Sequence, residues 1–291
     1  MYNENTFEFF DTIGEAIDEG ANPGDTLLVG AGEYPENVTV NKEGLTLKSV
    51  EGPEVTIIDA DGQDRAIDIV ADNVRIEGFT VKNFGQYAFN ARSDGFEIVN
   101  NIVPEGAVPN AHAGTDSIYI WEVDGGLVKD NVMGPQFTVM SILDSKDIEI
   151  TNNTFTRDTG WQPALRIDFS SDITVKGNTL EGFGWCIQLA SFYGPLSDVF
   201  ILDNEIKNND RGVVVGYGIA GWDNHDITGV QVNNNNIVDN KDWGVQHNHG
   251  DDVDATANWW GDANGPGGEG PGDGDKVSEN VIYDPWADSP F

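Results

Sequence analysis

Ile148-Glu-Ile-Thr-Asn-Asn153-Thr-Phe155 reads apolar-x-apolar-x-x-Asn-x-apolar, and most of the chain repeats it. The pattern returns as Phe96-Glu-Ile-Val-Asn-Asn101-Ile-Val103, Ile173-Thr-Val-Lys-Gly-Asn178-Thr-Leu180, Val199-Phe-Ile-Leu-Asp-Asn204-Glu-Ile206, Val230-Gln-Val-Asn-Asn-Asn235-Asn-Ile237 and Val253-Asp-Ala-Thr-Ala-Asn258-Trp-Trp260. Two copies are weaker: Gly126 to Met133 keeps Asn131 but opens on glycine, and Val74 to Val81 places Phe79 at the asparagine position. From Phe79 through Asn101, Asn131, Asn153, Asn178, Asn204, Asn235 and Asn258 the steps are 22 to 31 residues. A period in that range is the signature of a solenoid.

Each copy opens with two-residue alternation rich in Ile and Val, which predicts a strand with one face inward. The asparagine then marks a bend, because its short amide tolerates left-handed backbone and bonds to nearby backbone groups. Stacked at about 4.8 Å per rung, such amides also bond to one another. These residues are therefore architecture. Leucine-rich repeats carry a similar asparagine but demand leucine at several positions and a helical turn in each repeat. Here a second strand-like run fills the interval instead, as in Ala66-Ile-Asp-Ile69, Ile118-Tyr-Ile120, Val139-Met-Ser-Ile-Leu143, Ala164-Leu-Arg-Ile167, Cys186-Ile-Gln-Leu189 and Gly212-Val-Val-Val215. Several strands per turn and no helix predict an all-β parallel β-helix, one domain over residues 1–291. Its parts are a cap over 1–25, rungs over 26–252 and a closing turn over 253–291.

Fifty acidic residues against 15 basic give a net charge of -35. Such a chain lacks the basic footprint that nucleic acid or an anionic membrane surface requires, and no apolar run is long enough to insert in a membrane. High acidity combined with a regular apolar repeat predicts a halophilic protein. At 1 M salt the Debye length shrinks to about 3 Å, so repulsion between surface carboxylates is screened. A melting temperature that rises from low to molar salt is the expected result, and one that stays flat excludes the halophilic reading. The lone Cys186 sits in a predicted strand as a small core residue. The start carries no signal peptide, which predicts a trimmed mature form.

Residues 6 to 20 predict a short strand and then a helix. Thr12-Ile-Gly-Glu15 fits a capping box, Ile13, Ala16 and Ile17 make one apolar face, and Gly20 stops it. An amphipathic helix there caps the first rung of the solenoid. The run from Ala16-Ile17-Asp18 through Pro23-Gly-Asp-Thr26, Gly32-Glu-Tyr34, Glu36-Asn-Val38, Leu45-Thr-Leu47 and Ile57-Ile-Asp-Ala60 resembles the entry of pectin-lyase-like right-handed parallel β-helix proteins. Asn258-Trp-Trp-Gly261, Gly265-Pro-Gly-Gly268 and Val281-Ile-Tyr-Asp-Pro-Trp286 are similar to the closing turn of secreted or surface β-helix proteins of archaea and bacteria, with Trp259, Trp260 and Trp286 sealing the last rung. The resemblance implies a single-stranded right-handed parallel β-helix. For function it spans polysaccharide lyases, hydrolases, epimerases, viral tailspikes and non-catalytic surface proteins, which share a fold and not an activity.

On a solenoid, function belongs to the outward side chains of one strand stack and to its bordering loops. The second strand run supplies that row: Asp68, Asn90, Tyr119, Trp121, Ser141, Arg166, Asp168, Gln188, Gln246 and His247. Insertions at 104–116, 156–163, 191–197 and 217–226 flank it and bring Trp161, Phe192, Tyr193, Tyr217, Trp222 and His225. Aromatic faces stack on pyranose rings while polar groups bond hydroxyls, so Trp121, Trp161, Gln188, Tyr193 and Trp222 are candidate glycan contacts.

Arg166 is one of six arginines and stands two residues from Asp168. It suits a uronate carboxylate or proton abstraction beside one, and equally a local ion pair. Tyr119, His112 and Asp144 are candidate bases for a lyase or epimerase, and Asp144 with Asp168 is the candidate carboxylate pair for a hydrolase. Asp262, Asp273 and Asp275 in the C-terminal loop suit Ca²⁺, and His247 with His249 suit a transition metal. The sequence thus predicts an extracellular or surface-exposed glycan-binding β-helix with a lyase-like or epimerase-like centre at Arg166. The alternative is a non-catalytic adhesin, surface module or tailspike, trimeric if viral.

Overall fold

The computed structural model describes residues 1–104, 114–134, 137–158, 160–219 and 222–291. The chain folds as a right-handed parallel β-helix with three strands per turn, and it divides into two compact units, Met1–Met140 and Ser141–Phe291.

In the first unit one sheet runs through Thr26–Val29, Thr46–Ser49, Arg75–Glu77, Phe96–Val99 and Asp124–Lys129, with Tyr2–Asn3 added antiparallel at its edge. A second contains Gly32–Pro35, Thr56–Asp59, Thr80–Lys82, Ile102–Val103 and Val132–Met133. The third contains Val38–Val40, Arg65–Ile69, Tyr87–Ala91 and Asp116–Trp121. The glycine that opens the weak repeat at Gly126 has a steric cause. It stands opposite Phe96, whose ring atoms lie 2.4–3.0 Å from where a Cβ would sit.

The helical cap forms as one α turn over Ile13–Glu15 and a π turn over Ala16–Gly20, with Ile13, Ala16 and Ile17 fully buried. Thr12 caps it by accepting from the Glu15 N–H at 3.1 Å. The Glu36 carboxylate accepts from the Ile13 and Gly14 N–H groups, both at 2.9 Å, and so satisfies two donors that a helix start leaves open. The preceding strand is Tyr2–Asn3, earlier than the sequence placed it. Burial pushes Asp25 up, but bonds from Asn3 and Asn22 outweigh it and hold that carboxyl below its usual range.

In the second unit the first sheet runs through Lys146–Thr151, Ser171–Lys176, Leu196–Leu202, Ile227–Asn233, Val253–Asp254 and Val281–Ile282. Ile148, Ile173, Val199 and Val230 lie in register, as do Ile150, Val175, Ile201 and Val232, so like side chains stack on like throughout the core. The second sheet holds Thr154–Thr156, Thr179–Glu181, Glu205–Lys207 and Asn236–Val238. The third includes Leu165–Asp168, Trp185–Ala190, Arg211–Val215 and Trp243–His247.

The asparagine ladder is present in both units. Phe79 N–H donates to Asn101 Oδ1 at 2.9 Å, and Asn101 donates to Asn131 Oδ1. In the second unit Asn153, Asn178, Asn204 and Asn235 each join the next, ending on Asn258, through backbone and amide donors at 2.8–3.0 Å. The reason given from sequence needs correction. The left-handed residue is the one before each ladder position, namely Gly78, Asn100, Asp130, Asn152, Gly177, Asp203, Asn234 and Ala257. This explains the run of Gly, Asn and Asp there, and Ala257, at φ 59, is the odd residue, costing about 1–2 kcal/mol.

A second ladder, not anticipated from sequence, runs at the other bend. Phe183 N–H donates to Asn209 Oδ1, Asn209 donates to Asn240 Oδ1, and Asn240 donates to Asp275 Oδ2 through both backbone and amide at 3.0 and 2.6 Å. Trp260 is fully buried near the end of the stack, and Trp286 packs its ring over Gly265, consistent with their sealing role.

Candidate functional site

The third sheet of the second unit carries the row predicted from alternation. Arg166 stands opposite Gln188, Gln188 opposite Val214, and Val214 opposite Gln246. Arg166 Nη2 lies 2.8 Å from Asp168 Oδ2, so the local ion pair forms, with the guanidinium partly exposed and the carboxylate fully buried. Asp168 Oδ1 accepts from the Phe192 N–H at 3.0 Å, which ties the strand to the loop that follows Ala190. Both carboxylate oxygens are thus engaged, and Asp168 is a clamp beneath Arg166 instead of an outward acid. The Gln188 side chain is also buried, and its Nε2 has no hydrogen-bond partner among the described residues.

Six rings form a continuous wall beside this row. Trp185 contacts Tyr217 at 6.1 Å between centroids, Tyr217 contacts Trp222 at 5.1 Å, and Trp222 contacts Phe192 at 5.7 Å. Phe192 meets Tyr193 at 4.5 Å and Tyr193 meets Phe169 at 5.6 Å. The Arg211 guanidinium lies 5.3 Å from the Trp185 ring centroid, a cation–π distance. Tyr193 is 65% exposed and Trp222 46%, whereas Trp161, at 87%, stands clear of the ring contacts.

Burial pushes the Tyr217 phenol up, with Asp168, Asp223 and Tyr193 adding to the effect and Arg166 opposing it. Tyr217 therefore stays protonated near neutrality and offers a donor, not a base. Trp185 and Phe169 were missed from sequence. Trp185 immediately precedes the Cys186 run that was read as the strand, and Phe169 sits at a left-handed position just past one.

The other candidate residues fall elsewhere. Tyr119 and Trp121 belong to the first unit, where Tyr119 stacks on Tyr87 at 4.6 Å and meets Trp121 edge-on, with Arg92 over Trp121. Asp144 is exposed at a left-handed bend just past the Thr138–Leu143 strand. His112 lies outside the described residues.

No group of three or more His, Cys, Asp or Glu suited to a metal occurs among the described residues. His247 Nε2 pairs with the Gly250 carbonyl at 3.2 Å and His249 Nε2 with the His225 carbonyl at 2.9 Å, so the two imidazoles serve different loops. Asp262 accepts from the Asn264 N–H at 2.7 Å, and Asp275 terminates the second ladder. The buried Cys186 thiol is pushed well up by desolvation and is inert. Among the described residues no helix is long and apolar enough to cross a membrane.

Parallel rungs that bear a polar row and a wall of aromatic rings on one sheet define a β-solenoid. The chain belongs to the right-handed β-helix family, whose model, "Right handed beta helix region", matches residues 67–259. A cell surface glycoprotein of Methanothermus fervidus is 34% identical over 125 residues, which are 43% of this chain and only 19% of that protein. Among solved structures, the A-module of a mannuronan C-5 epimerase from Azotobacter vinelandii aligns with TM-score 0.55 at 16% identity, over 94% of this chain and 93% of that one. An alginate lyase in complex with G6 aligns with TM-score 0.55 at 14% identity, covering 92% of this chain and 60% of the lyase. The Dettilon tailspike protein aligns with TM-score 0.56 at 12% identity, covering 93% and 64%. At such identities the structural likeness establishes the fold.

Proposed function

We propose that this chain is a surface-exposed glycan-binding β-helix module that holds a polysaccharide along the Arg166 row. The observation that carries the reading is the pair of exposed rings, Tyr193 and Trp222, in a ring-to-ring wall beside the partly exposed Arg166 guanidinium. A ring face takes the apolar side of a pyranose, while the guanidinium takes its carboxylate or hydroxyls. Binding is favoured over chemistry because Asp168 is buried with both oxygens engaged and Tyr217 holds its proton. A lyase or epimerase needs a free base next to the sugar. The epimerase and lyase among the similar structures support polysaccharide as the ligand class, and the net charge of -35 supports a salt-rich setting.

The test is affinity for a panel of acidic and neutral polysaccharides in molar salt. Trp222→Ala and Arg166→Ala are each expected to weaken binding about tenfold or more, about 1.4 kcal/mol, with the Arg166 effect confined to acidic glycans. No ultraviolet absorbance from an unsaturated product is expected, and its appearance would replace the binding reading with a lyase. A second reading, a purely structural surface module, is favoured by the match to a cell surface glycoprotein. Absence of binding across the whole panel would select it.

A further inference from the structure

The first unit holds a feature that glycan recognition on the Arg166 row leaves unused. Asn37-Val38-Thr39 is an N-x-Thr sequon, the acceptor signal for N-linked glycosylation. Its structural setting fits an acceptor. Asn37 and Thr39 are exposed on either side of the fully inward Val38, and Val38–Val40 is the terminal strand of its sheet. The Asn37 amide makes no hydrogen bond among the described residues, whereas the ladder asparagines are committed on both sides of the amide. Asn37 and Thr39 also border a polar recess of about 370 Å³ whose other walls are Gly62, Gln63, Asp64, Arg65 and Asp68. That volume falls within the size range of small-ligand sites, about 300–1,000 Å³. Arg65 and Asp68 are paired at 3.0 Å and Asp68 also accepts from Asn90, so these groups are held in place before anything arrives.

We propose that Asn37 is an N-glycosylation site and that the first sugar of its glycan seats in the recess beside it. In the transfer, Asn37 Nδ2 forms a bond to the anomeric carbon of a lipid-phosphate-linked oligosaccharide. The carbon–oxygen bond to phosphate breaks, the electron pair leaves with the phosphate, and the amide gives up one proton. Donor and transferase come from the producing cell. Hydroxyls of the linked sugar then meet Asp68, Arg65 and Gln63, a mixed set of acceptors and donors suited to neighbouring hydroxyl groups.

The chain contains one other sequon, Asn152-Asn153-Thr154, and it serves as an internal comparison. There the acceptor, Asn152, is fixed at φ 56 in a bend, and the middle residue, Asn153, is locked into the ladder.

The experiment is peptide mass mapping of the full chain secreted from a cell that N-glycosylates its exports. The peptide containing Asn37 is expected to carry one oligosaccharide, lost in Asn37→Gln and Thr39→Ala and kept in Thr39→Ser. An unmodified Asn37, or a modification that survives Thr39→Ala, overturns the site. Seating is read separately from the rate at which an amidase releases the glycan from the folded protein. Asp68→Ala should leave occupancy unchanged and speed release about fivefold, the size of one lost hydrogen bond. Equal release rates, with the circular dichroism of the two proteins the same, overturn the seating.

Discussion

Asn178→Ala is expected to lower the unfolding free energy by about 3–5 kcal/mol, among the largest effects for any single side chain here. Asn178 Oδ1 accepts from the Asn153 N–H at 2.8 Å and from its amide at 3.0 Å. Its own Nδ2 donates to the Ile150 carbonyl at 2.8 Å and to Asn204 Oδ1 at 3.0 Å. Alanine keeps only the bond from its own backbone N–H to Asn204. The Asn153 N–H loses its acceptor in a dry core, where an unsatisfied group costs about 1–3 kcal/mol, and three further side-chain bonds across the rungs are lost with it. Gln231→Ala, on the exposed face of a strand in the same unit, is the comparison and should stay within about 0.5 kcal/mol. Urea unfolding of the two variants decides the matter. A loss below about 1 kcal/mol for Asn178→Ala would mean that water or a rearranged bend replaces the ladder bonds.

The fold was legible because a single periodic constraint repeats in every rung, and an aliphatic alternation ending in a buried amide has few other physical explanations. Which residue takes the left-handed conformation was not legible, since two adjacent positions both carry Asn, as in Asn100-Asn101 and Asn152-Asn153. Geometry assigns the strain to the first and the hydrogen bonds to the second. The second ladder escaped because it uses only Asn209, Asn240 and Asp275, at unequal spacing and with a carboxylate at its end. For the candidate site, alternation correctly put Arg166 beside Asp168 and Gln188 in one row. It could not show that a backbone N–H of the following loop, Phe192, closes over Asp168 and buries it. Long-range contacts from irregular loops leave no period to read. The same limit hid the ring wall, whose members were visible as aromatic residues but whose order, with Trp185 and Phe169 included, depends on loop geometry.

Asp275→Asn is expected to stabilise the protein at neutral pH and leave it nearly unchanged in acid. Asp275 occupies the position where the second ladder would carry another asparagine, accepting both Asn240 donors on Oδ2. Burial pushes its carboxyl up to about 6 from 3.8; the Asn240 bonds oppose the shift and nearby Asp239 adds to it. The sign follows from proton uptake. Between about pH 4 and pH 6 the unfolded chain has released this proton while the folded chain still holds it, so stability from this group is complete below pH 4 and declines as pH rises through 6. At neutral pH the folded state carries a partly buried charge, a penalty on the order of 2 kcal/mol after allowance for solvent screening.

Asparagine supplies the same acceptor to Asn240 without the charge, and its amide can donate to a carbonyl of the preceding rung, as Asn240 does to Ile206. Carboxylates held low by their hydrogen bonds and ion pairs, such as Asp25, Glu77 and Asp254, weaken the fold as pH falls, but they do so equally in both proteins and cancel in the difference. The measurement is the melting temperature of wild type and Asp275→Asn at pH 3.5 and pH 7.5 in the same salt. A gain of several degrees at pH 7.5, about 2–4 °C per kcal/mol for a domain of this order, should vanish at pH 3.5. A gain independent of pH would assign the effect to packing and not to the proton, and a loss at neutral pH would show that the ladder needs the charge it ends on.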